Sequence, residues 1–513
     1  MRSNAQEIQK KIVSSEEINS IFETIRKSGK TVAMCHGVFD LVHPGHIAHF
    51  EAAMKFADLL VVSITADKFV NKGPGRPLFS QEVRANSIAA LVYIDYVVVS
   101  NSATALEMIS IIKPNYYVKG SDYSNESEDV TGMISKERAE VELHGGELVF
   151  TDELTSSSSK LINNYFSNLT NEAQTWLQEF KQVDGLSQVE KWLTKIQDKK
   201  VLIAGETIID RYTVCNPLAK SSKDPILAFQ IGESHSFPGG VLAIANNCKS
   251  WASNVSVVTF LGENPSEAIE LFKTINPELH IHNVSIAGRP TILKHRFVDE
   301  KSNSRVFEFY DFANKDLREN EYNEIGKMLG NELATSDVLI AADYGHGFFG
   351  NKLISQIAKD STFLAVNTQS NAGNRGYNTI SRYPRADLVC LNSGELELEY
   401  RERNLDFRRI VPEILNRMSA SYGVVTLGGD GLLIFGKNGE YSHVPAFATK
   451  VIDKVGAGDA VLAMASLLAS VGATVEVIGF VANLVAAHEV SQLGHQSSLT
   501  LGAIRKQAKA ILG

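Results

Sequence analysis

Two short segments of this sequence carry its densest chemistry. The first is His36-Gly37-Val38-Phe39-Asp40-Leu41-Val42-His43-Pro44-Gly45-His46. It follows an apolar run and opens a helical one. A helix start offers unpaired N–H groups and the positive end of the helix dipole to an anion. Two imidazoles three residues apart, separated by Pro44-Gly45, both reach a phosphate placed there, and Gly45 lets the backbone come close. The second segment is Val455-Gly456-Ala457-Gly458-Asp459, directly before a long apolar helix. Its two glycines let backbone N–H groups wrap a phosphate as an anion hole. The acid at the end of that turn is placed to take a proton from an attacking hydroxyl.

The elements that must position these segments follow from the pattern of apolar residues. Ser14 and Glu17 have capping-box spacing, and Ile18, Ile21, Phe22 and Ile25 continue a helix that Gly29 stops. From 31 the pattern alternates: strands at 31–37, 59–64, 96–100, 116–120 and 147–150, with helices at about 46–56, 84–91 and 103–112. Short, continuously apolar strands alternating with helices predict a parallel sheet covered on both faces. Between about 160 and 197 the pattern is helical only. Ala173, Trp176, Leu177 and Phe180 make one stripe, and Val189, Trp192, Leu193 and Ile196 another, which reads as a helical connector. A second alternation begins at Val201–Gly205 and continues through strands near 226–231, 255–260, 337–342, 363–366, 388–391 and 422–427. Helices at 459–470 and 474–492 close it. This predicts a doubly wound domain, with the alternating segments 226–231 and 292–310 forming a small β lid.

Composition agrees with an ordinary globular chain. Of 513 residues, 44% are apolar, 8% aromatic and 21% charged, which excludes disordered, collagen-like and solenoid classes. At roughly 100–200 residues per domain, at least two domains are expected. The net charge of −9 argues against a general nucleic-acid or anionic-membrane surface. Cys35, Cys215, Cys248 and Cys390 include no C-x-x-C pair, so neither a disulfide framework nor a structural zinc is expected. The N-terminus is polar, and no run of about 18 apolar residues occurs. The expectation is a cytoplasmic protein.

The first segment, Gly37-Val-Phe39-Asp40-Leu-Val-His43-Pro-Gly45-His46, resembles the signature of the cytidylyltransferase-like nucleotidyltransferases. The likeness continues through Lys72-Gly-Pro-Gly-Arg76-Pro77, the helix carrying Arg84, Val118-Lys119-Gly120-Ser121-Asp122-Tyr123, and Ser156 to Lys160. Over about 31–165 the chain is similar to the adenylyltransferase half of the bifunctional enzymes of ADP-heptose synthesis, a sugar of lipopolysaccharide. The resemblance implies attack of a sugar 1-phosphate on the α-phosphate of a nucleoside triphosphate, ATP or CTP, with release of pyrophosphate. It implies that His43 and His46 contact the triphosphate and that Lys72, Arg76 and Lys119 supply cations. Phe39, Asp40 and Gly45 belong to the same nucleotide site. Asp122 faces nucleotide or magnesium. Ser158 and Ser159 stand at a further helix start facing phosphate, or form an ordinary N-cap and linker. His36 replaces the Asn usual in that family, and Lys160 stands where relatives often carry Arg.

The second segment resembles the carboxy-terminal signature of the ribokinase-like (PfkB) carbohydrate kinases. Pro238-Gly239-Gly240, Asn392-Ser-Gly-Glu395 and Thr426-Leu-Gly428-Gly-Asp-Gly431 agree with it, and Gly205 to Tyr212 and Ala342 to Gly347 resemble the heptose 7-phosphate kinases. The resemblance implies phosphoryl transfer from ATP to a sugar hydroxyl. Asp459 is then the base, and Gly456, Ala457 and Gly458 the anion hole. Asn392, Glu395, Thr426, Gly428 and Gly431 bind the nucleotide, and Glu395 serves Mg2+. Asp210, Gly239, Gly240 and Asp343 bind the sugar. Ala243 replaces an Asn of the heptose kinases, and Asn367-Thr368-Gln369 replaces their Asp-Pro-Lys. The following Asn/Gly-rich 370–378 is either a new substrate loop, with Arg375 reaching a phosphate, or a polar surface loop.

The expected organisation is a Rossmann-like nucleotidyltransferase domain at 1–165, a connector at 166–197 and a ribokinase-like domain at 198–513. That reverses the domain order of the heptose enzymes. The expected activity is bifunctional: phosphorylation of a sugar phosphate, a heptose 7-phosphate at C1, and nucleotidyl transfer to the resulting sugar 1-phosphate. A second reading stays open, in which the transferase acts on another phosphorylated sugar or alcohol and the kinase-like part has another substrate or only binds sugar. Expected partners are nucleoside triphosphates, sugar phosphates and a second copy of the chain in a dimer, without nucleic acid or membrane.

Overall fold

The computed structural model describes residues 4–120, 133–151, 168–275, 279–302, 304–313 and 315–513. Asp122, Ser158 and Ser159 lie outside them. The chain divides into two compact units, Met1–Asn168 with Arg505–Gly513, and Leu169–Ile504.

Among the described residues the first unit is built on six strands: β1 (Ile12–Val13), β2 (Val32–Gly37), β3 (Leu59–Thr65), β4 (Tyr96–Ser100), β5 (Tyr116–Gly120) and β6 (Glu147–Thr151). They form one sheet in the order β1-β4-β3-β2-β5-β6, and every pair is parallel. Alternate residues of each apolar run enter opposite cores. Met34, Val61, Val98 and Tyr117 pack on one face, and Ala33, Cys35, Val62, Val97 and Val118 on the other. This is why the strands read as unbroken apolar runs. The capping box at Ser14 and Glu17 opens helix Ser15–Lys27 as its spacing indicates. The order of strands reverses at β2, whose neighbours are β3 and β5. A ligand crevice is expected outside the carboxyl ends of these strands.

The second unit has nine strands in one sheet, in the order β11-β10-β7-β14-β15-β16-β17-β18-β19. They are β7 (Lys200–Gly205), β10 (Asn254–Leu261), β11 (His280–Ser285), β14 (Val338–Asp343), β15 (Leu364–Thr368), β16 (Leu388–Asn392), β17 (Tyr422–Thr426), β18 (Leu432–Gly436) and β19 (Tyr441–Val444). The seven strands from β11 to β17 run parallel, and the last two are antiparallel hairpin strands. A separate sheet in the order β13-β12-β8-β9 is the expected lid. It comprises β8 (Thr207–Lys220), β9 (Leu227–Gly240), β12 (Ile292–Asp299) and β13 (Arg305–Asp311). The lid is larger than the alternating segments suggested, because β8 and β9 each run for 14 residues.

Three helices differ from expectation. Helices Asn171–Gln182 and Gly185–Ile196, read as a connector, are part of the second unit. The Trp176 and Phe180 rings pack on Phe480, at centroid distances of 6.4 and 5.4 Å, and Trp176 lies 6.1 Å from Phe447. Their apolar stripes serve that core. A further helix, Leu501–Leu512, follows the last expected one.

Candidate active sites

In the first unit, β2 ends at Gly37 and helix Pro44–Met54 begins with His43 as its N-cap. Pro44 at the first helical position suits this start, since its missing N–H has no intrahelical partner to lose. The Gly45 amide donates to His43 Nδ1 at 3.2 Å. The His43 and His46 rings stack, with centroids 3.9 Å apart. Phe39, in a left-handed conformation at φ 50°, lies edge-on to His46 at 5.3 Å and beside Phe50 at 5.2 Å. It therefore acts as a packing support for His46.

Burial lowers the pKa of both imidazoles. His46 falls to about 3, helped by the charge of His43, and His43 is lowered further by Lys72. Both are neutral near pH 7, and an incoming polyanion favours their protonation. A third imidazole, His49, is one helical turn on. Its Nδ1 lies 2.7 Å from Thr151 Oγ1, and burial lowers it to about 4. Its i+3 spacing from His46 is the sequence signal that marks it. His36, at the end of β2, sits between Ser63 Oγ at 3.1 Å and Thr65 Oγ1 at 3.4 Å.

The cations approach this helix start from two sides. Lys119 ends β5 and pairs with Glu137 at 2.9 Å. Lys72 and Arg76 lie on the loop after β3. Lys72 is lowered to about 8 by burial, then by Arg76 and Lys506. Asp40, which the resemblance places in the nucleotide site, is buried and turns its carboxylate to neighbouring loops. Its Oδ2 accepts from Arg76 at 2.9 Å, and its Oδ1 accepts from the Leu78 and Phe79 amides at 2.7 and 3.0 Å. It anchors the cationic loop. Buried Arg84 donates to the carbonyls of Val38, Thr65 and Phe79 and to Asp67, tying the same loops together.

In the second unit the strand order reverses between β7 and β14, and Asp210, Tyr344 and Asp459 meet there. Helix Ala457–Ser470 starts at Gly456, whose φ is 84°, and no side chain caps it. Its first amides thus lack the side-chain acceptor that most helix starts use. A Cβ at Gly456 would come 2.8 Å from Glu489 Oε1, whereas the space at Gly458 is open. Asp459 accepts a hydrogen bond from the Tyr344 hydroxyl at 2.9 Å. Burial raises its carboxyl to about 6, against the Tyr344 bond and the Lys294 charge, which lower it.

Asp210, on lid strand β8, accepts from Arg296 on β12. A Cβ at Gly239 would stand 2.3 Å from Asp210 Oδ2, so only glycine leaves that carboxylate in place. Gly240, at φ 59°, turns the chain into helix Val241–Lys249. Lys294, two residues before Arg296, is buried and 5.8 Å from the centroids of both Tyr310 and Tyr344. Its pKa is lowered by burial, partly offset by Asp210 and Asp459. Sequence reading missed Lys294, Arg296 and Tyr344 as site residues. The alternation of β12 puts Lys294 and Arg296 on one face, which is the signal that was available.

Glu395 caps helix Ser393–Tyr400 with Asn392. Its oxygens accept from the Ser370 and Asn392 amides at 3.1 and 2.8 Å, and burial raises it to about 7. Thr426 ends β17, and Gly428 and Gly431 form the turn into β18. The space at Gly428 is open, while a Cβ at Gly431 would strike the Val444 carbonyl.

Asp343 and Arg375 each line a cavity of their own. Asp343 is buried, and its carboxylate accepts from Gly345, Asn378, Arg382 and Tyr383 at 2.9–3.1 Å. Arg375 lines a cavity of about 490 Å³ with Ser370, Asn392 and Glu395. Asn371 and Asn374 both donate to the Tyr344 carbonyl at 2.8 Å. The polar loop therefore holds Tyr344 in place. Glu206, at the end of β7, does the same from the other side, accepting from the amides of Tyr344, His346 and Phe348 at 2.9–3.1 Å. Burial and Asp343 raise it to about 7.

Comparison with known proteins finds a separate family for each part of the chain. Residues 34–164 match the family described as cytidylyltransferase-like. The bifunctional protein HldE of Syntrophotalea carbinolica is 38% identical over 161 residues, 31% of this chain and 31% of its own length. HldE of Trichlorobacter lovleyi is 36% identical over 167 residues, 32% of each. The matches thus span about a third of these curated relatives. Phosphofructokinase-2 from Escherichia coli, solved with potassium, covers 61% of this chain and 99% of its own, with a TM-score of 0.51 and 17% identity. That likeness concerns the fold alone. The model of the pfkB family of carbohydrate kinases matches residues 198–501, more than half of the chain, which therefore belongs to that family.

Proposed function

We propose that the chain is a bifunctional enzyme of nucleotide-sugar synthesis, a sugar-phosphate kinase joined to a sugar-1-phosphate nucleotidyltransferase. The observation that carries the reading is the uncapped helix start at Gly456 with Asp459 in its first turn, beside Asp210 and Lys294. In the kinase step the sugar hydroxyl is held by Asp210 and gives its proton to Asp459 as its oxygen bonds to the γ-phosphorus of ATP. The bond from that phosphorus to the β-bridging oxygen breaks, and ADP leaves. Amides at 456–458 and the ammonium of Lys294 meet the charge that develops. Glu395 lines a cavity with Ser370 and Asn392 and would serve a Mg2+ bound there with the nucleotide, an ion that would neutralise phosphate charge.

In the transferase step an oxygen of the sugar 1-phosphate bonds to the α-phosphorus of ATP or CTP, and the α–β bridging bond breaks to release pyrophosphate. The nucleophile is already an anion, so no base is needed. His43, His46, Lys72 and Lys119 hold the triphosphate and its leaving group. The product of the first step is the substrate of the second. A heptose 7-phosphate is the proposed first substrate, on the likeness of both halves to the ADP-heptose enzymes. Mass identification of products from ATP, CTP and a panel of sugar phosphates tests this. Absence of ADP with every sugar refutes the kinase step, and absence of pyrophosphate with every sugar 1-phosphate refutes the transfer.

We also propose a dimer formed through the lid. Leu227, Ile231, Phe307 and Phe309 leave apolar surface exposed on that sheet. Sedimentation of the wild type beside Phe307→Asp checks it.

A further inference from the structure

The last nine residues, Arg505–Gly513, belong to the first unit. They form the distal part of helix Leu501–Leu512. Gln507 is buried and donates to Asn71 Oδ1 at 2.7 Å. Ile511 stands against Gly73, its Cδ1 3.2 Å from where a Cβ on that glycine would lie. The helix thus holds both neighbours of Lys72, Asn71 through its side-chain oxygen and Gly73 by packing of Ile511. That grip matters because the loop is intrinsically loose: Gly73 and Gly75 have φ of 102° and 74°, and glycine is the residue with most freedom to lose. Asp40 ties the far end of the loop at Arg76, Leu78 and Phe79. Gln507 ties the near end at Asn71. Lys506, on the exposed side of the same turn, is close enough for its charge to act on Lys72 and on His36.

We propose that this C-terminal helix is a working part of the nucleotidyltransferase site. Gln507 is a positioning residue for Lys72, and Lys506 adds a cation to the surface that receives the nucleoside triphosphate. The proposal rests on the transferase reading above. A triphosphate brings several negative charges, and each added cation strengthens its capture in a screened, distance-dependent way. The groups that face Lys72 are Arg76, Lys506, Arg84 and Asp40, together with His43 and His46. Lys506 is the one among them supplied by the end of the chain.

The test uses full-length protein and three variants: Lys506→Glu, Gln507→Ala and the exchanged pair Asn71→Gln/Gln507→Asn. Pyrophosphate release with sugar 1-phosphate gives KM for the triphosphate. Lys506→Glu should raise that KM on the order of tenfold, with a smaller change in kcat and a weaker salt dependence. Gln507→Ala should lower kcat/KM by about two- to tenfold, the scale of one hydrogen bond, and the exchanged pair should restore it. ADP formation by the kinase should be unchanged in all three. A second readout needs no activity: the pH dependence of Lys72 acylation, followed by peptide mass. In Lys506→Glu its midpoint should move up by about half a pH unit, because a cation that disfavours the ammonium becomes an anion that favours it. An unmoved Lys72 midpoint in the folded Lys506→Glu protein overturns the electrostatic role, and unchanged kcat/KM in Gln507→Ala overturns the positioning role. If the wild type releases no pyrophosphate while the midpoint moves, the transferase reading fails and the link between Lys506 and Lys72 stands.

Discussion

Replacing Asp459 with Asn separates catalysis from binding in the kinase half. The amide keeps the size of the carboxylate, and its oxygen can still accept from the Tyr344 hydroxyl, which stands 2.9 Å from Asp459 Oδ1 in the wild type. What it loses is the ability to take a proton. General-base catalysis contributes roughly 10²–10⁴-fold, so ADP formation should fall by that factor. ATP affinity should change little, because the amides of Gly456, Ala457 and Gly458 are untouched. In the wild type, kcat/KM should fall as pH drops through about 6, where the raised Asp459 carboxyl becomes protonated.

The same substitution has a stability consequence of opposite sign. Burial holds the folded-state carboxyl at about 6 against an ordinary 3.8. The folded state therefore binds the proton more tightly than the unfolded chain. Stability from this group is fully present below 3.8 and is lost as pH rises to about 6. The loss is at most about 3 kcal/mol, at about 1.4 kcal/mol per pH unit, and less because the side chain is not fully enclosed. Asp459→Asn is free of that loss. Its thermal midpoint should match the wild type near pH 4 and exceed it above pH 6. The assay is a melting series from pH 4 to 8 beside ADP formation at saturating sugar phosphate. A variant that turns over at the wild-type rate, or whose stability gap does not grow with pH, refutes the reasoning.

His46→Ala should reduce pyrophosphate release on the order of 10²–10³-fold with kinase activity intact, as expected for lost stabilisation of the leaving group; separate assays of the two products check it. Affinity for the triphosphate should weaken as pH rises above about 8, where Lys72 loses its proton, and a titration of KM against pH measures this. Lys294→Met removes a charge that lowers the Asp459 pKa, so the acid limb of the kinase pH profile should move to higher pH and the rate at pH 7 should fall. Gly239→Ala drives a methyl into Asp210 Oδ2, within 2.3 Å; KM for the sugar should rise with ATP affinity unchanged, read from initial rates.

The legible parts of this molecule are those in which function is local. A phosphate is bound by consecutive amides at a helix start, so the segments around His43 and Gly456 announce themselves within ten residues, and the strand-to-helix change in period places each at a carboxyl edge. Glycine is legible where the backbone itself does the work, as at Gly456. The side chains that complete each site arrive from distant segments, and residue type alone does not show whether a carboxylate faces a ligand or its own fold. Asp40, Asp210, Asp343 and Asp459 all stand in motifs of the two expected sites. Asp40 and Asp343 are consumed by amides and guanidinium groups of neighbouring loops. Asp210 accepts from one guanidinium, that of Arg296, and stands against the glycine that makes room for it, and Asp459 accepts from the Tyr344 hydroxyl. The difference lies in what packs around each acid, and that is a long-range property. The same reason hid the two helices at 171–196, whose apolar stripes fit a linker that folds on itself as well as a wall of the second core. It also hid Gln507, an ordinary polar residue near the end of a helix whose role depends on Asn71, 436 positions earlier.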